Sequence, residues 1–420
     1  MTDDPSTSTR ALLRVAPVRN LLGSSILTSA GVMLQATVLG KQVYDITGRE
    51  LDIGLLGLAE FLPAALLVLV TGTVADRYNR KLIGALAIGA EALCSLALML
   101  YALSDPTAVW PLFVIAVLFG VARAFAAPSI RSIPPMVAPN GALPRTIALY
   151  SATWTSAAII GPALGGILYA VDPYVAYAVS AAMVGGGMFF ILAIRFVNPP
   201  TPRDPNIEKV SLHTALEGLR FIRRTPILLA AISLDLFAVL FGGAVALLPA
   251  IAEERLGVGD VAYGWLRAAP GIGAALMALV LASRPVTRRV GRTLLLVVGI
   301  FGVATVVLGV TTSYLVAFIA LVVLAGADMI SVFIRSTLVP LVTPDDKRGR
   351  VMAVENVFIG ASNELGAFES GVAAQAFGTQ TAVVGGGVAT VGIVALYSVF
   401  FPTLRRVDRF EELETPENPR

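Results

Sequence analysis

Apolar residues fall into twelve blocks along the chain, each separated from the next by a short polar break. The blocks run near 18–44, 51–74, 82–103, 109–130, 146–170, 174–196, 226–251, 261–283, 293–310, 314–334, 351–376 and 381–401. About 20 apolar residues rising about 1.5 Å each cross a hydrocarbon core of about 30 Å. The pattern predicts an all-α membrane protein with twelve transmembrane helices. Six lie on each side of a polar stretch, giving a tail 1–17, a six-helix bundle 18–196, a linker 197–225, a second six-helix bundle 226–401 and a tail 402–420.

The linker, "VNPPTPRDPNIEKVSLHTALEGLRFIRRT", opens with prolines that exclude helix. It continues with Leu212, Leu216, Leu219 and Phe221 interleaved among Glu217, Arg220, Arg223 and Arg224. That spacing predicts an amphipathic helix lying at a membrane interface.

The two halves repeat. "PMVAPNGALPRTIALYSATWTSAAIIGPALGG" from Pro135 aligns without gaps on "PLVTPDDKRGRVMAVENVFIGASNELGAFESG" from Pro340. Pro139 falls on Pro344, Arg145 on Arg350, Gly161 on Gly366 and Gly166 on Gly371. A similar offset pairs Pro17 with Pro226, Gly48 with Gly257 and Gly54 with Gly264. Parallel six-span repeats suit a transporter whose site lies between halves that rock around it, although plain structural duplication leaves the same trace.

Composition strengthens the membrane reading: 56% of residues are hydrophobic and 14% charged, with a mean hydropathy of +0.80. The net charge of +3 does not call for nucleic acid, because the basic residues sort by side. With an inward N-terminus, Lys41, Arg49 and Arg255 lie outside, Arg123 and Arg267 lie within spans, and every other Lys and Arg falls in inward loops and tails. The positive-inside rule then puts both termini in the cytoplasm. The polar, acid-bearing start "MTDDPSTSTRALLRVAP" lacks the form of a signal peptide.

One cysteine, Cys94, and one histidine, His213, leave no disulfide, no Cys/His metal site and no Ser/His/Asp triad. No Gly-x-x-x-x-Gly-Lys-Ser/Thr loop is present, which argues against ATP hydrolysis in cis. We therefore expect no cofactor, no metal and no enzymatic activity. Four lysines against 27 arginines, with abundant Ala, Gly and Val, point to a GC-rich bacterial genome.

Between the second and third blocks stands "GTVADRYNRK". It resembles the Gly-x-Leu-Ala-Asp-Arg-x-Gly-Arg-Lys signature of the major facilitator superfamily. Gly72, Ala75, Asp76, Arg77, Arg80 and Lys81 match; Val74 replaces Leu and Asn79 replaces the second Gly. Taken alone, the charges read as a solvated loop whose cations favour the end of a neighbouring helix. The resemblance implies more: a latch that stabilises one access state, formed by Gly72, Asp76, Arg77, Arg80 and Lys81.

In the fifth block, "AAIIGPALGG" is similar to the antiporter-branch pattern Gly-x-x-x-Gly-Pro-x-x-Gly-Gly. Gly161, Pro162, Gly165 and Gly166 match and Ala157 replaces the first Gly. Close helix packing at small residues explains the stretch equally well. The resemblance covers nearly the whole chain and implies the major facilitator fold, two pseudo-symmetric six-helix bundles. "YGWLRAAPGIGAAL" and the tail after span 12 look most like the bacterial enterobactin-exporter-like and multidrug-efflux branch.

A charge buried in a span costs at least about 2.5–3.5 kcal/mol on insertion scales, so such residues need a reason. Arg123 in span 4 and Asp328 in span 10 are repeat partners at similar depth. Asp235 lies about nine residues into span 7, about 14 Å from its inner end. In the fold implied by the resemblance, spans 1, 4, 7 and 10 line the cavity. Asp235 and Asp328 are therefore the first candidates for proton coupling, with Arg123 as counter-charge; structural ion pairing is the competing reading. Span 11 adds Glu355, Asn363, Glu364 and Glu369 as further cavity candidates. Glu355 has Arg350 or the loop 2–3 cations as possible partners, while Lys41 lies close enough to the outer surface to snorkel.

The expectation is a secondary transporter in a bacterial inner membrane, multi-pass and monomeric. It moves a drug-like or siderophore-like amphipathic molecule outward in exchange for protons, with the lipid bilayer and no nucleic acid as its other partners. Antiport comes from the resemblance. A lipid or lysolipid transporter, or a non-transporting sensor on the same scaffold, is the alternative.

Overall fold

The structure, a computed structural model, describes residues 8–198 and 212–413, and every regular element among them is helical. Twelve long helical segments follow one another: α1 Ala16–Thr47, α2 Glu50–Arg77, α3 Arg80–Ala102, α4 Trp110–Arg131, α5 Leu143–Tyr169, α6 Pro173–Leu192, α7 Pro226–Phe241, α8 Asp260–Ser283, α9 Val290–Val310, α10 Tyr314–Val342, α11 Asp345–Phe377 and α12 Thr379–Phe400. With its continuation to Arg255, α7 is one of ten helices that, among the described residues, are long and apolar enough to cross a membrane. α2 and α11 stand outside those ten, yet at 28 and 33 residues both have the length to cross. α11 is too rich in Glu, Asn and Ser to qualify by apolarity, so the count of twelve rests on helix length and repeat position.

Local chemistry sets the helix ends. Gly48, at φ +58°, closes α1 through its N–H to the Tyr44 carbonyl, a left-handed cap that glycine adopts without strain. Asn79 caps α3 by accepting from the N–H groups of Lys81 and Leu82. Asp172 caps α6 ahead of Pro173.

The seventh span departs from the continuous helix expected over 226–251. α7 stops at Phe241, a 3-10 turn covers Gly243–Val245, and a π turn covers Ile251–Arg255. Gly242 lies against the Phe301 ring and Gly243 against the Gly366 carbonyl, so the chain there makes a close approach that any side chain would block. Pro249 removes another helical N–H.

Packing divides the chain into two units. The first comprises Met1–Gly48, Leu58–Ile207 and Gly259–Ala268; the second comprises Arg49–Gly57, Glu208–Val258 and Ala269–Arg420. A cut at the linker would keep α2 and α8 whole, whereas here the first turns of each join the opposite unit.

In the first unit, α1 packs on α5 and α6, and α3 packs on α4 and α6. In the second, α7 packs on α11 and α12, and α9 packs on α10 and α12. The pairing pattern is the same, as the sequence repeat requires.

The linker's proline-rich part, residues 199–211, lies outside the described residues. Its helix, Leu212–Arg224, packs into the second unit. Ile222 is buried in the core of the second unit beside Leu228, Val290 and Val351. Gly218 abuts the Arg350 carbonyl, holding the helix against the start of α11.

Candidate functional site

The loop 2–3 motif is split by α2 running to Arg77. The backbones of Gly72, Asp76 and Arg77 are helical, while their side chains lie outside the described residues. Lys81 is placed by the Asn79 cap and donates from Nζ to the carbonyls of Leu192 (3.0 Å) and Ile194 (3.1 Å). It thus satisfies the carboxyl end of α6, where the helix dipole favours a cation. Arg80 also has an interaction partner.

The span 5 motif is a packing surface. Gly161 lies on Ala30 and Met33 of α1, Gly165 on Leu34 and Thr37, and Gly166 on the backbone of Asp260 and Gly264 in α8. Pro162 is buried between them. Their repeat partners act alike: Gly366 lies on Val239 and Leu240, and Gly371 on Glu50 and Gly54. Gly54 and Gly264, which the repeat had paired, are thus the two residues met by Gly371 and Gly166.

The ionisable residues of the second unit converge on a residue that the sequence reading left in an inward loop. α10 continues past the apolar block to Val342, so Arg335 is inside the helix and almost completely buried, at 3% exposure. Its guanidinium pairs with Asp235 at 2.8 Å and with Glu355 at 3.6 Å. Ser331, one turn earlier, bridges Asp235 and Arg335 at 3.5 Å on each side. Asp328 lines the same cleft as Asp235, with Ser331, Val298 and Phe301 completing its wall.

These facts correct two expectations. The counter-charge of Asp235 is Arg335, whereas Arg123 belongs to the first unit and acts electrostatically on the buried Glu91. Glu355 pairs with Arg335 rather than Arg350, which instead binds Glu217 of the linker helix at 2.7 Å. The signal for Arg335 was present: Asp328, Ser331 and Arg335 are spaced three and four apart and share a helix face.

The other α11 candidates are dispersed. Asn363 is exposed and donates to the Ile359 carbonyl of its own helix. Glu364 reaches toward Gly57, where a side chain would meet its carboxylate. Glu369 is half-buried.

The first unit holds a second charged group that sequence reasoning missed. Lys41 does not snorkel; it is 7% exposed, paired with Asp45 and 3.6 Å from Asp260. Tyr169 donates to Asp45 at 2.6 Å, its ring lies beneath the Lys41 ammonium, and Tyr263 donates to the Thr37 carbonyl. No group of three or more metal-binding side chains occurs among the described residues.

The sequence pattern of the family described as "Transmembrane secretion effector" matches residues 7–419. An uncharacterized MFS-type transporter, YfiS of Bacillus subtilis, is 27% identical, covering 90% of this chain and 91% of that protein. The multidrug efflux pump Tap of Mycolicibacterium fortuitum is 26% identical over 93% of this chain and 97% of its own length. The enterobactin exporter EntS of Shigella boydii is 23% identical over 79% and 76%.

Among solved structures, a bacterial homologue of the human lysosomal transporter Spinster superposes with a TM-score of 0.72 at 17% identity, covering 96% of this chain and 100% of that one. The nucleoside transporter NupG gives a TM-score of 0.71 at 13% identity, covering 92% and 100%. These relatives and neighbours are transporters, not enzymes. With the repeat, the helical architecture and this match over nearly its full length, the chain belongs to the transmembrane secretion effector family of major facilitator transporters.

Proposed function

We propose that this protein exports a small amphipathic molecule from the bacterial cytoplasm by alternating access, driven by proton entry through the inner membrane. The observation that carries the proposal is the Arg335 cluster. One guanidinium is shared by Asp235 and Glu355, and Asp328 opens into the same cleft. Three carboxylates around one cation leave an excess of negative charge that buried surroundings disfavour, and a proton taken up there relieves it. The cluster joins α7, α10 and α11, so a change in its charge bears on three helices at once.

The export direction takes support from the efflux functions named for the EntS and Tap relatives. The charge distribution supports twelve spans with both termini inside, and the loop 2–3 motif supports a latch built on Asp76, Arg77 and Arg80.

Reconstituted protein in vesicles with an imposed pH gradient tests the coupling. Asp235→Asn and Asp328→Asn are expected to abolish uphill accumulation of a cationic fluorescent dye while leaving dye binding measurable. The amide resembles the protonated acid but releases no proton. If both variants still concentrate the dye against its gradient, the coupling site is elsewhere. Topology has a separate check: a cysteine at Asn206 is expected to react only from the cytoplasmic side of intact cells.

A further inference from the structure

The linker helix and the opening turns of α11 flank an open pocket of about 230 Å³, apart from the Arg335 cluster. Its wall carries Arg220, Arg224, Lys347 and Arg350 against one carboxylate, Glu217. That carboxylate is engaged by Arg350 at 2.7 Å. Lys347 stands with its ammonium 5.1 Å from the centre of the Phe221 ring, which holds the charge at the wall without neutralising it. Arg220 and Arg224 are one helical turn apart, exposed, and without an acidic partner among the described residues.

Like charges so placed repel, and the amino-terminal end of α11 adds its own partial positive charge. The acids of that first turn do not cancel it. Asp345 pairs with Arg348 at 2.6 Å and Asp346 is exposed outside the pocket wall. Gly218, lying on the Arg350 carbonyl, keeps the helices close enough for both sets of cations to face one space.

We propose that this pocket binds a phosphate-bearing anion, either the headgroup of an acidic phospholipid or a free phosphate solute. Guanidinium groups match the oxygens of phosphate in pairs, and basic pockets between helices at a membrane interface take lipid headgroups. The bound anion cross-links the linker helix to the start of α11. Arg350 lies five residues before Glu355 on that helix, so occupancy also steadies the helix that brings Glu355 to Arg335.

The full-length protein in nanodiscs provides the test, with thermal stability as a readout independent of transport. Phosphatidylcholine discs are compared with discs containing phosphatidylglycerol, and with phosphatidylcholine discs plus inorganic phosphate. Wild type is expected to be stabilised by one of the two anions. The double variant Arg220→Gln/Arg224→Gln should need about tenfold or more of that anion for the same effect. The control Arg284→Gln/Arg288→Gln removes the same charge from exposed positions of the same unit and should behave as wild type. Protection by phosphatidylglycerol alone assigns a lipid headgroup, and protection by inorganic phosphate assigns a soluble ligand. Equal responses from the two double variants, or no stabilisation by either anion, would overturn the proposal.

Discussion

The Lys41 cluster of the first unit and the Arg335 cluster of the second each pair one buried cation directly with two carboxylates, and Asp328 adds a third beside Arg335. They differ in water. Asp45 and Asp260 keep 31% and 32% of their side-chain surface exposed, whereas Asp235 and Glu355 keep 8% and 12%. Water at the Lys41 acids screens their charges and hydrates either one if the partner is lost. Around Arg335 there is little such relief, so the three groups depend on one another.

The cations suit those settings. The ammonium of Lys41 is a point charge that tyrosine rings and hydroxyls can surround, while the planar guanidinium of Arg335 presents separate nitrogens to two carboxylates. The first cluster is built to hold helix ends together; the second is built so that a change of charge is felt by every member.

Removing the central cation from each cluster gives the sharpest contrast. Arg335→Gln is expected to cost about 3–5 kcal/mol, because it strands buried carboxylates, and thermal unfolding in detergent would register it as a large loss of stability. Asp235→Asn combined with Arg335→Gln should recover part of that loss, since one stranded charge is gone while Glu355 and Asp328 remain. An Arg335→Gln protein as stable as wild type would mean that the cluster is wetter than its geometry indicates.

A smaller effect is expected where glycines carry the packing. Gly166→Ala drives a methyl into the backbone of Asp260 and Gly264, and Gly371→Ala does the same against Glu50 and Gly54. Each should cost about 1–3 kcal/mol by overpacking. Gly385→Ala, which meets open space, should leave the melting temperature unchanged. Unequal losses at Gly166 and Gly371 would show that the repeat partners have ceased to be equivalent.

The smallest effect belongs to Lys41→Gln, about 1 kcal/mol, since Asp45 and Asp260 keep water and Asp45 keeps the Tyr169 hydroxyl. Parity with Arg335→Gln in the same unfolding experiment would remove the distinction between the clusters.

Hydrophobic blocks and repeat spacing were legible in the sequence because transfer to lipid acts on each stretch by itself. The glycine register was legible too: Gly161, Gly166, Gly366 and Gly371 were marked by the repeat, and the packing uses all four. Lys81 at the end of α6 follows from a general preference of cations for carboxyl ends of helices.

The identity of the buried partners was a matter for tertiary structure. Arg335 lies just beyond an apolar block, and a charge there is hydrated or buried according to what packs beside it. Asp235 and Glu355 come alongside from helices distant in sequence, and no local pattern in α10 records them. Lys41 was misread for the same reason, since its neighbours Asp260 and Tyr169 arrive from α8 and α5. Burial of apolar surface adds up along the chain and can be read there, whereas an ion pair exists only when two distant residues meet, and only the folded packing decides that they do.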